Sequence, residues 1–304
     1  MAPKITRALA RVPLGTSARR GLAMKPYAFV TINKQYGEAG VAMAIPALAV
    51  SVSYLLLTAL LAAVLRRVVF RLFEQPLLRR LALEAVAAAE LCGSCFELII
   101  VADNYGVWAY AAFLFLLTVW WSSSWGEATA CPYTHLEDVL RGCSDVLTAL
   151  LMTGAELAGG VFVFRYVQYL WDLELAETHL GKAWEECSAD LQVPMFTGAA
   201  IEGAATCACR LVSRALNERE TPLANVLDAF FSTALVVAAF NYTGGYFNPV
   251  LASSLKYDCP GNTYEEHIIV YWVGSCLGAA ASVNLYNHPT VQQLLFTGTK
   301  KKEE

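Results

Sequence analysis

The sequence predicts an all-α protein that crosses a membrane several times. Of its 304 residues, 57% are hydrophobic and 16% are charged, whereas about 25% are charged in soluble domains. Apolar runs close to the ~20 residues that a helix needs to cross a bilayer recur along the chain. Two shorter apolar segments begin at Pro132 and Pro249, and both are too short to cross alone.

Seven long apolar segments and two short ones cover most of the chain. The long segments are 41–65, 81–102, 107–125, 145–171, 192–213, 223–243 and 265–286, and the short ones are 132–141 and 249–256. We expect the long segments to be spanning helices and the short ones to be half-helices that enter the membrane from one side. Segment 41–65 is predicted as an additional N-terminal helix.

Basic residues predict which connections face the cytosol. They cluster at Arg66, Arg67, Arg71, Arg79 and Arg80, at Arg210, Arg214 and Arg219, and at Lys300, Lys301 and Lys302. The connection 172–191 holds six acidic residues against one lysine and is predicted to be lumenal. The additional helix then places the N-terminus in the lumen, which conflicts with the basic, acid-free stretch 1–37. Two alternatives stay open: segment 41–65 does not span fully, or helix packing overrides the charge rule.

The stretch 241–250, Asn-Tyr-Thr-Gly-Gly-Tyr-Phe-Asn-Pro-Val, ends one apolar helix and starts a short one. Pro249 suits the first turn of a helix, where its missing N–H is not needed, and Asn248 suits the cap before it. Within a bilayer, a broken helix is tolerated only where its backbone is buried in protein or lines a wet cavity. A helix N-terminus carries partial positive charge and repels cations there. The stretch therefore predicts a pore.

The same residues resemble a known family. Thr243-Gly-Gly-x-x-Asn248-Pro249-Val250, followed by His267-Ile-Ile-Val-Tyr-Trp-Val-Gly, is similar to the second half of the aquaporin (major intrinsic protein) family. That family is an inverted repeat of six spanning helices with two half-helices that meet in mid-membrane, so a first box is expected about a hundred residues upstream. Cys131-Pro132-Tyr133 lies there. Two altered boxes, Leu251 after the second box and a lysine-rich tail resemble the unorthodox superaquaporin subgroup, and Cys-Pro-Tyr is similar to its arthropod aquaporin-twelve-like branch.

The resemblance implies how the chain is divided. We expect a basic tail (1–38), the additional helix with a basic loop (39–78), a first repeat (79–172), an acidic lumenal connection (173–191), a second repeat (192–287) and a cytosolic tail (288–304). Family members assemble as tetramers with one pore per subunit, so a homotetramer in the lipid bilayer is expected here too.

The two boxes are expected at the midpoint of the pore. In the second box, Asn248 can donate a hydrogen bond to a passing oxygen, Pro249 starts the half-helix and Val250 packs against the opposite box. In the first box, Cys131 is only a weak donor, and Tyr133 is bulky where an alanine is usual. Tyr133 either narrows the pore or leans aside and uses its hydroxyl.

The family places a selectivity constriction near the outer mouth. Leu251 stands where an arginine is usual, and Gly245, Val236 and Ala111 (or its neighbour Tyr110) are expected beside it. Such a ring is apolar and predicted to be wide. It would discriminate weakly between water, hydrogen peroxide and glycerol, and an apolar constriction can also conduct slowly because it loses water.

Acidic residues inside the membrane usually face the protein interior and find partners. The family uses such glutamates to hold half-helix or loop backbone, and Glu90 and Glu202 are predicted for that role, while Glu84 fits better near the interface. His135 and Glu137, two residues apart on one short helix, are interpreted as cap and loop partners.

Cysteines point to one possible crosslink. Cys187 and Cys259 both fall in loops predicted to be lumenal, and an oxidising lumen permits a disulfide between them. Cys92 and Cys95 lie in an apolar run where thiolates are disfavoured, so a thiol-redox function is the weakest hypothesis.

The predicted function is a passive channel for water and small neutral solutes in an intracellular membrane. The chain shows no nucleotide-binding loop, nucleophile elbow or metal-ligand spacing, so neither an enzyme nor a cofactor, metal or nucleic-acid partner is predicted. Lys301 and Lys302 resemble a dilysine retrieval signal, which implies recognition by coat protein and the endoplasmic reticulum. Residues 1–37 resemble a mitochondrial presequence, although a flexible basic tail near lipid headgroups is favoured. A non-conducting structural protein with the same fold is the alternative.

Overall fold

The computed structural model describes residues 46–296, which are mostly helical. Its helices are α1 (Ala47–Leu72), α2 (Pro76–Tyr105), α3 (Val107–Ser124), α4 (Pro132–Leu140), α5 (Val146–Asp172), α6 (Met195–Glu218), α7 (Ala224–Thr243), α8 (Pro249–Lys256), α9 (Tyr264–Tyr286) and α10 (Pro289–Phe296). The basic tail 1–38 and the pair Lys301 and Lys302 lie outside the described residues.

Six of the described helices are long and apolar enough to cross a membrane: α1, α2, α3, α5, α7 and α9. Helix α6 is 24 residues long, but it carries Glu202, Arg210 and Arg214. These side chains form hydrogen bonds or ion pairs within the protein, so they do not prevent α6 from lying in the bundle. The predicted all-α membrane fold, with long helices interrupted by two half-helices, is confirmed.

The half-helices α4 and α8 are built alike. Each begins with a proline in its first turn, directly after an extended residue, Cys131 or Asn248. Their starts meet inside the bundle, where the Asn248 side chain donates a 2.8 Å hydrogen bond to the carbonyl of Ala130. The two loops that precede them therefore reach the same depth from opposite ends.

Close helix crossings depend on small residues in both halves of the bundle. A Cβ added at Gly159 of α5 would lie 2.0 Å from the carbonyl oxygen of Ala85 in α2. In the second half, a Cβ at Gly278 of α9 would lie 2.1 Å from the carbonyl oxygen of Gly203 in α6. Only residues without a side chain permit backbones to approach this closely.

Helix α1 lies antiparallel to α2 along the outside of the first half. Near its start, the hydroxyl of Tyr54 donates to the carbonyl of Leu170, close to the end of α5. Near its other end, Arg66 pairs with Glu90 of α2. Because its contacts run from one end of the bundle toward the other, α1 has the placement of a full spanning helix.

The prediction of a basic loop after the additional helix is largely wrong. No helix breaker occurs before Pro76, so α1 continues to Leu72 and includes Arg66, Arg67 and Arg71. Arg66 is only 6% exposed because it is held by a buried carboxylate. Only residues 73–75 connect α1 to α2.

Candidate functional site: a pore between the two boxes

Two cavities follow one another through the bundle where the half-helices meet. The first, of about 330 Å³, is an outer vestibule beside the 173–194 connection, with Asp103, Asp190 and Lys256 in its wall. The second, of about 350 Å³, is an inner cavity that includes Cys131, Tyr133 and Asn248 of the boxes. Both predicted boxes thus contribute to one cavity.

Five residues line both cavities and define the constriction between them: Cys95, Tyr110, Gly245, Tyr246 and Leu251. Leu251 and Gly245 lie where the sequence placed them, and Val236 lines the inner cavity just below. Of the two candidates on α3, Tyr110 lines both cavities, whereas Ala111 lines neither.

Gly245 is required by its backbone and its surroundings. Its φ is +66°, a region that favours glycine, and a Cβ there would lie 2.7 Å from the carbonyl oxygen of Val236. The loop that leads into the second half-helix can therefore pass directly against α7, which leaves the space beside it open to the pore.

The constriction is more aromatic than the predicted apolar ring. Tyr246 donates from its hydroxyl to Asp190 at 2.5 Å, and Tyr110 packs against Phe240 with ring centroids 5.1 Å apart. No cationic residue is among the five that define the constriction. The cation of the vestibule, Lys256, is paired with Asp190 at 3.1 Å, so its charge is largely balanced.

Asn248 has the geometry of a helix cap that also links the two boxes. Its side-chain oxygen accepts hydrogen bonds from the backbone N–H groups of Val250 and Leu251, at 3.0 and 3.2 Å. Its amide nitrogen donates to Ala130. An amide has two N–H donors, so one remains available at the cavity surface.

The first box has no equivalent cap. Cys131 makes no side-chain capping bond to α4, so the first N–H groups of this half-helix lack the partner that Asn248 supplies in α8. Tyr133 lines the inner cavity, and the guanidinium carbon of Arg210 lies 5.8 Å from the centre of its ring. Tyr133 therefore contributes an aromatic wall that is held on one side by a cation.

Buried glutamates hold the loops before both half-helices. Glu202 accepts hydrogen bonds from the backbone N–H groups of Tyr246 and Phe247 and from the hydroxyl of Thr243. In the first half, Glu84 accepts from the backbone N–H groups of Thr129 and Ala130. The two carboxylates act on equivalent positions of the two loops.

The assignment of Glu90 to this role is wrong. Its carboxylate accepts hydrogen bonds from Arg66, Trp120 and Trp125 and makes none to loop backbone. Glu84, which the sequence placed near the interface, is only 5% exposed. Helix α1 supplies Arg66 as a cationic partner for Glu90. Glu84 therefore holds the loop before α4, and Glu90 binds Arg66 instead.

His135 and Glu137 are not cap or loop partners. Glu137 is fully buried and pairs with Arg210 and Arg214 of α6, both at 2.7 Å. His135 bonds to Glu156 of α5 at 2.9 Å through its Nε2 atom. Both side chains therefore attach α4 to neighbouring helices.

Cys187 and Cys259 form a disulfide, and their Cα atoms lie 5.3 Å apart. The bond joins the 173–194 connection to the loop after α8, beside the vestibule. Lys256, the last residue of α8, adds a 2.9 Å hydrogen bond to the carbonyl of Ser188. The outer end of α8 is thus fixed covalently and by hydrogen bonding.

Three known proteins show what the chain is similar to in sequence. Aquaporin-11 from Milnesium tardigradum is 29% identical over 212 residues, 68% of this chain and 76% of the relative. Aquaporin-12 from Mus musculus is 28% identical over 246 residues, 78% of this chain and 84% of the relative. Aquaporin-11 from Homo sapiens is 26% identical over 239 residues, 77% of this chain and 87% of the relative. No family model matches the chain.

Among solved structures, the aquaglyceroporin from Plasmodium falciparum aligns with 81% of this chain and 99% of its own, with a TM-score of 0.43 and 13% sequence identity.

The relatives bear on several predictions made from the motifs. They confirm the resemblance to the unorthodox superaquaporin subgroup. None of the three comes from an arthropod, so the similarity to the arthropod aquaporin-twelve-like branch stays a prediction. Aquaporins are channels, so the prediction that the chain is not an enzyme is confirmed as well. The chain is therefore similar, over most of its sequence, to aquaporins of the aquaporin-11 and aquaporin-12 kind, and together with its long apolar helices this similarity makes it a multi-pass membrane protein.

Proposed function

We propose that the chain is a passive channel through which water and small neutral solutes, such as glycerol and hydrogen peroxide, cross an intracellular membrane. One observation carries this proposal: the vestibule and the inner cavity share a constriction that has no cationic side chain. Leu251 occupies the position where an arginine would narrow the opening and bind solutes. The loss of that group favours passage of solutes larger than water.

Exclusion of cations then rests on the two half-helices. Their N-termini meet at the inner cavity, and each carries a partial positive charge. The side-chain amide of Asn248 can also donate hydrogen bonds to oxygen atoms that pass through the inner cavity. Water and polyols can accept these hydrogen bonds, whereas a cation is repelled.

Stopped-flow light scattering on proteoliposomes tests the channel directly. Under a sucrose gradient we expect faster shrinkage than for empty liposomes, and under a glycerol gradient we expect re-swelling. Leu251→Arg should reduce glycerol permeability at least tenfold and water permeability less, while Leu251→Met, which keeps size and polarity, should change neither. Permeability equal to that of empty liposomes, with folding verified by thermal unfolding, would contradict the proposal.

An endoplasmic-reticulum location and a homotetramer are part of the same proposal. The lysine pair Lys301 and Lys302 supports retrieval by coat protein, and the family supports the tetramer. Replacing both lysines by serine should move a tagged protein from the endoplasmic reticulum to the cell surface. An unchanged location would contradict the retrieval signal. A monomeric mass of the purified protein in detergent would contradict the tetramer.

A gated or non-conducting channel is the alternative, and the tyrosines at the pore favour it. Tyr110 and Tyr246 belong to the constriction, and Tyr133 lies in the wall below. Tyr133→Ala separates the two functions. If the natural protein is silent and this variant conducts, the pore is occluded by side chains; if both conduct equally, Tyr133 does not gate it.

A further inference from the structure

Three buried side chains from three helices converge behind the first box. The Nε2 atom of His135 on α4 lies 2.9 Å from the Oε1 atom of Glu156 on α5 and 3.8 Å from the Oε1 atom of Glu84 on α2. One ligand atom from each of the three residues lies within 4.8 Å of the other two. Glu84, His135 and Glu156 are 5%, 6% and 0% exposed.

If both carboxyl groups are ionised, the side chains of the protein do not balance the charge of this cluster. Within residues 46–296, the ion pairs of Glu84 and Glu156 all go to His135. Even with a protonated imidazole, two carboxylates leave one negative charge, and an unpaired charge in an apolar interior is strongly unfavourable. The other Oε atom of Glu156 is fully buried and has no hydrogen-bond partner.

Three other buried carboxylates of the bundle do have sufficient partners. Glu90 has Arg66 and two tryptophan N–H groups. Glu137 has two arginines. Glu202 has two backbone N–H groups and a hydroxyl. The cluster of Glu84 and Glu156 differs from these three carboxylates, and a bound cation would supply the partner that it lacks.

We propose that Glu84, His135 and Glu156 bind a divalent transition-metal ion of the zinc class. Zinc takes imidazole nitrogen and carboxylate oxygen at ~2.0–2.2 Å, and tetrahedral ligands at that distance lie about 3.4 Å apart. The separations of 2.9 and 3.8 Å from His135 lie on either side of that value. Small side-chain shifts are enough to enclose an ion.

Glu84 keeps a lone pair for this ion while it holds the loop. A carboxylate offers about four acceptor positions, and Glu84 uses three for the backbone N–H groups of Thr129 and Ala130. Two of these bonds go to Oε2 and one to Oε1, the atom that faces His135. Thr129 lines the inner cavity, so the cluster lies one layer behind the pore wall.

The site would fasten the first half-helix. An ion bound by these side chains joins α4 to both α2 and α5 at the position where Glu84 orients the loop that carries Ala130. The ligands are 51 and 21 residues apart in sequence, so no ligand spacing reveals them.

Metal analysis of the purified protein in lipid nanodiscs tests the site. After chelation, the protein is incubated with zinc chloride, desalted and analysed for bound zinc and for thermal unfolding. We expect about one zinc per chain and a raised unfolding temperature, with at least fivefold less zinc in Glu156→Gln and His135→Gln. His179→Gln is the matched control, since His179 is also buried against one glutamate, Glu97, at 2.9 Å, and it should bind as much zinc as the natural protein.

Cobalt(II) distinguishes this site from the free cysteines. Bound at nitrogen and oxygen ligands, it should show a visible band without the thiolate charge-transfer band in the near ultraviolet. Equal zinc in Glu156→Gln, a thiolate band, or no bound zinc in a folded natural protein would each overturn the proposal. Permeability is measured separately, so zinc binding by a silent channel would contradict the proposed function and leave this site standing.

Discussion

The two half-helices start in the same way, yet different interactions hold them. At the start of α8, Asn248 caps the helix with two hydrogen bonds, whereas Cys131 makes none at the start of α4. At the far ends, the loop after α8 is tied by a disulfide at Cys259, whereas α4 is held by Glu137 between two arginines. The first half depends on charge, and the second depends on capping and a covalent bond.

The features shared by both halves are a proline in the first turn and a buried carboxylate on the preceding loop. Glu84 and Glu202 each accept hydrogen bonds from two consecutive backbone N–H groups. A half-helix inside a membrane needs its loop backbone satisfied, because no water is available there. The identity of the box residue is a weaker requirement, which is why a cysteine can replace the asparagine.

The largest effect should come from the charge cluster of the first half. Glu137→Gln leaves the cations of Arg210 and Arg214 without a carboxylate, and breaking a buried ion pair in this way costs about 3–5 kcal/mol. We expect a strong loss of folded protein, measured by thermal unfolding in detergent. The neighbouring pair of Asp138 and Arg141 is exposed, so Asp138→Asn should change little. Equal effects of both variants would contradict a structural role specific to Glu137.

A smaller effect is expected at the outer end of the second half. Replacing Cys187 and Cys259 together by serine removes a link across 72 residues, and loss of a disulfide typically costs about 2–4 kcal/mol. We expect a lower unfolding temperature that reductant no longer changes, measured by scanning fluorimetry. Cys143→Ser, at an exposed free cysteine, is the control. A double variant as stable as the natural protein would show that hydrogen bonds such as that of Lys256 fix this end without the disulfide.

The smallest effect concerns the caps, and it can be tested in both directions. Asn248→Cys should destabilise the protein by about 1 kcal/mol, and Cys131→Asn should stabilise it by up to a similar amount, since a side-chain cap is worth about 1 kcal/mol. Water permeability in proteoliposomes should fall for the first variant and rise for the second. If Cys131→Asn lowers both stability and permeability, the first box is shaped around the cysteine and the two halves cannot be interchanged.

Hydropathy and proline placement predicted most of the helices, since both follow directly from the membrane. Hydropathy and proline placement do not predict which acidic side chain of α2 faces the loop before α4. Glu84 and Glu90 are six residues apart on one helix and point in different directions, so packing alone decides between them. The deciding partner is Arg66, whose charge alone predicts a loop position, whereas the structure buries it against Glu90.

The constriction was predicted in part. Leu251 and Gly245 follow from the box itself, to which they are close in sequence. Tyr110 and Cys95 come from separate helices, whose rotation depends on the register of α2 and α3. Cys95, Ile99 and Ala102 of α2 line the vestibule at helical spacing, but an apolar stripe on a helix is equally typical of a packing face. No feature of the sequence distinguishes the two.

The position of α1 has a consequence for the two ends of the polypeptide. With α1 running antiparallel to α2, the described part of the chain contains seven long helices and two half-helices that turn back. An odd number of crossings leaves residue 46 on the same side as the disulfide, and the end of α9 on the other. We therefore expect a reporter fused before α1 to lie on the side of the disulfide, where it is glycosylated and protected from added protease. A reporter fused after α10 should lie on the opposite side and show neither property.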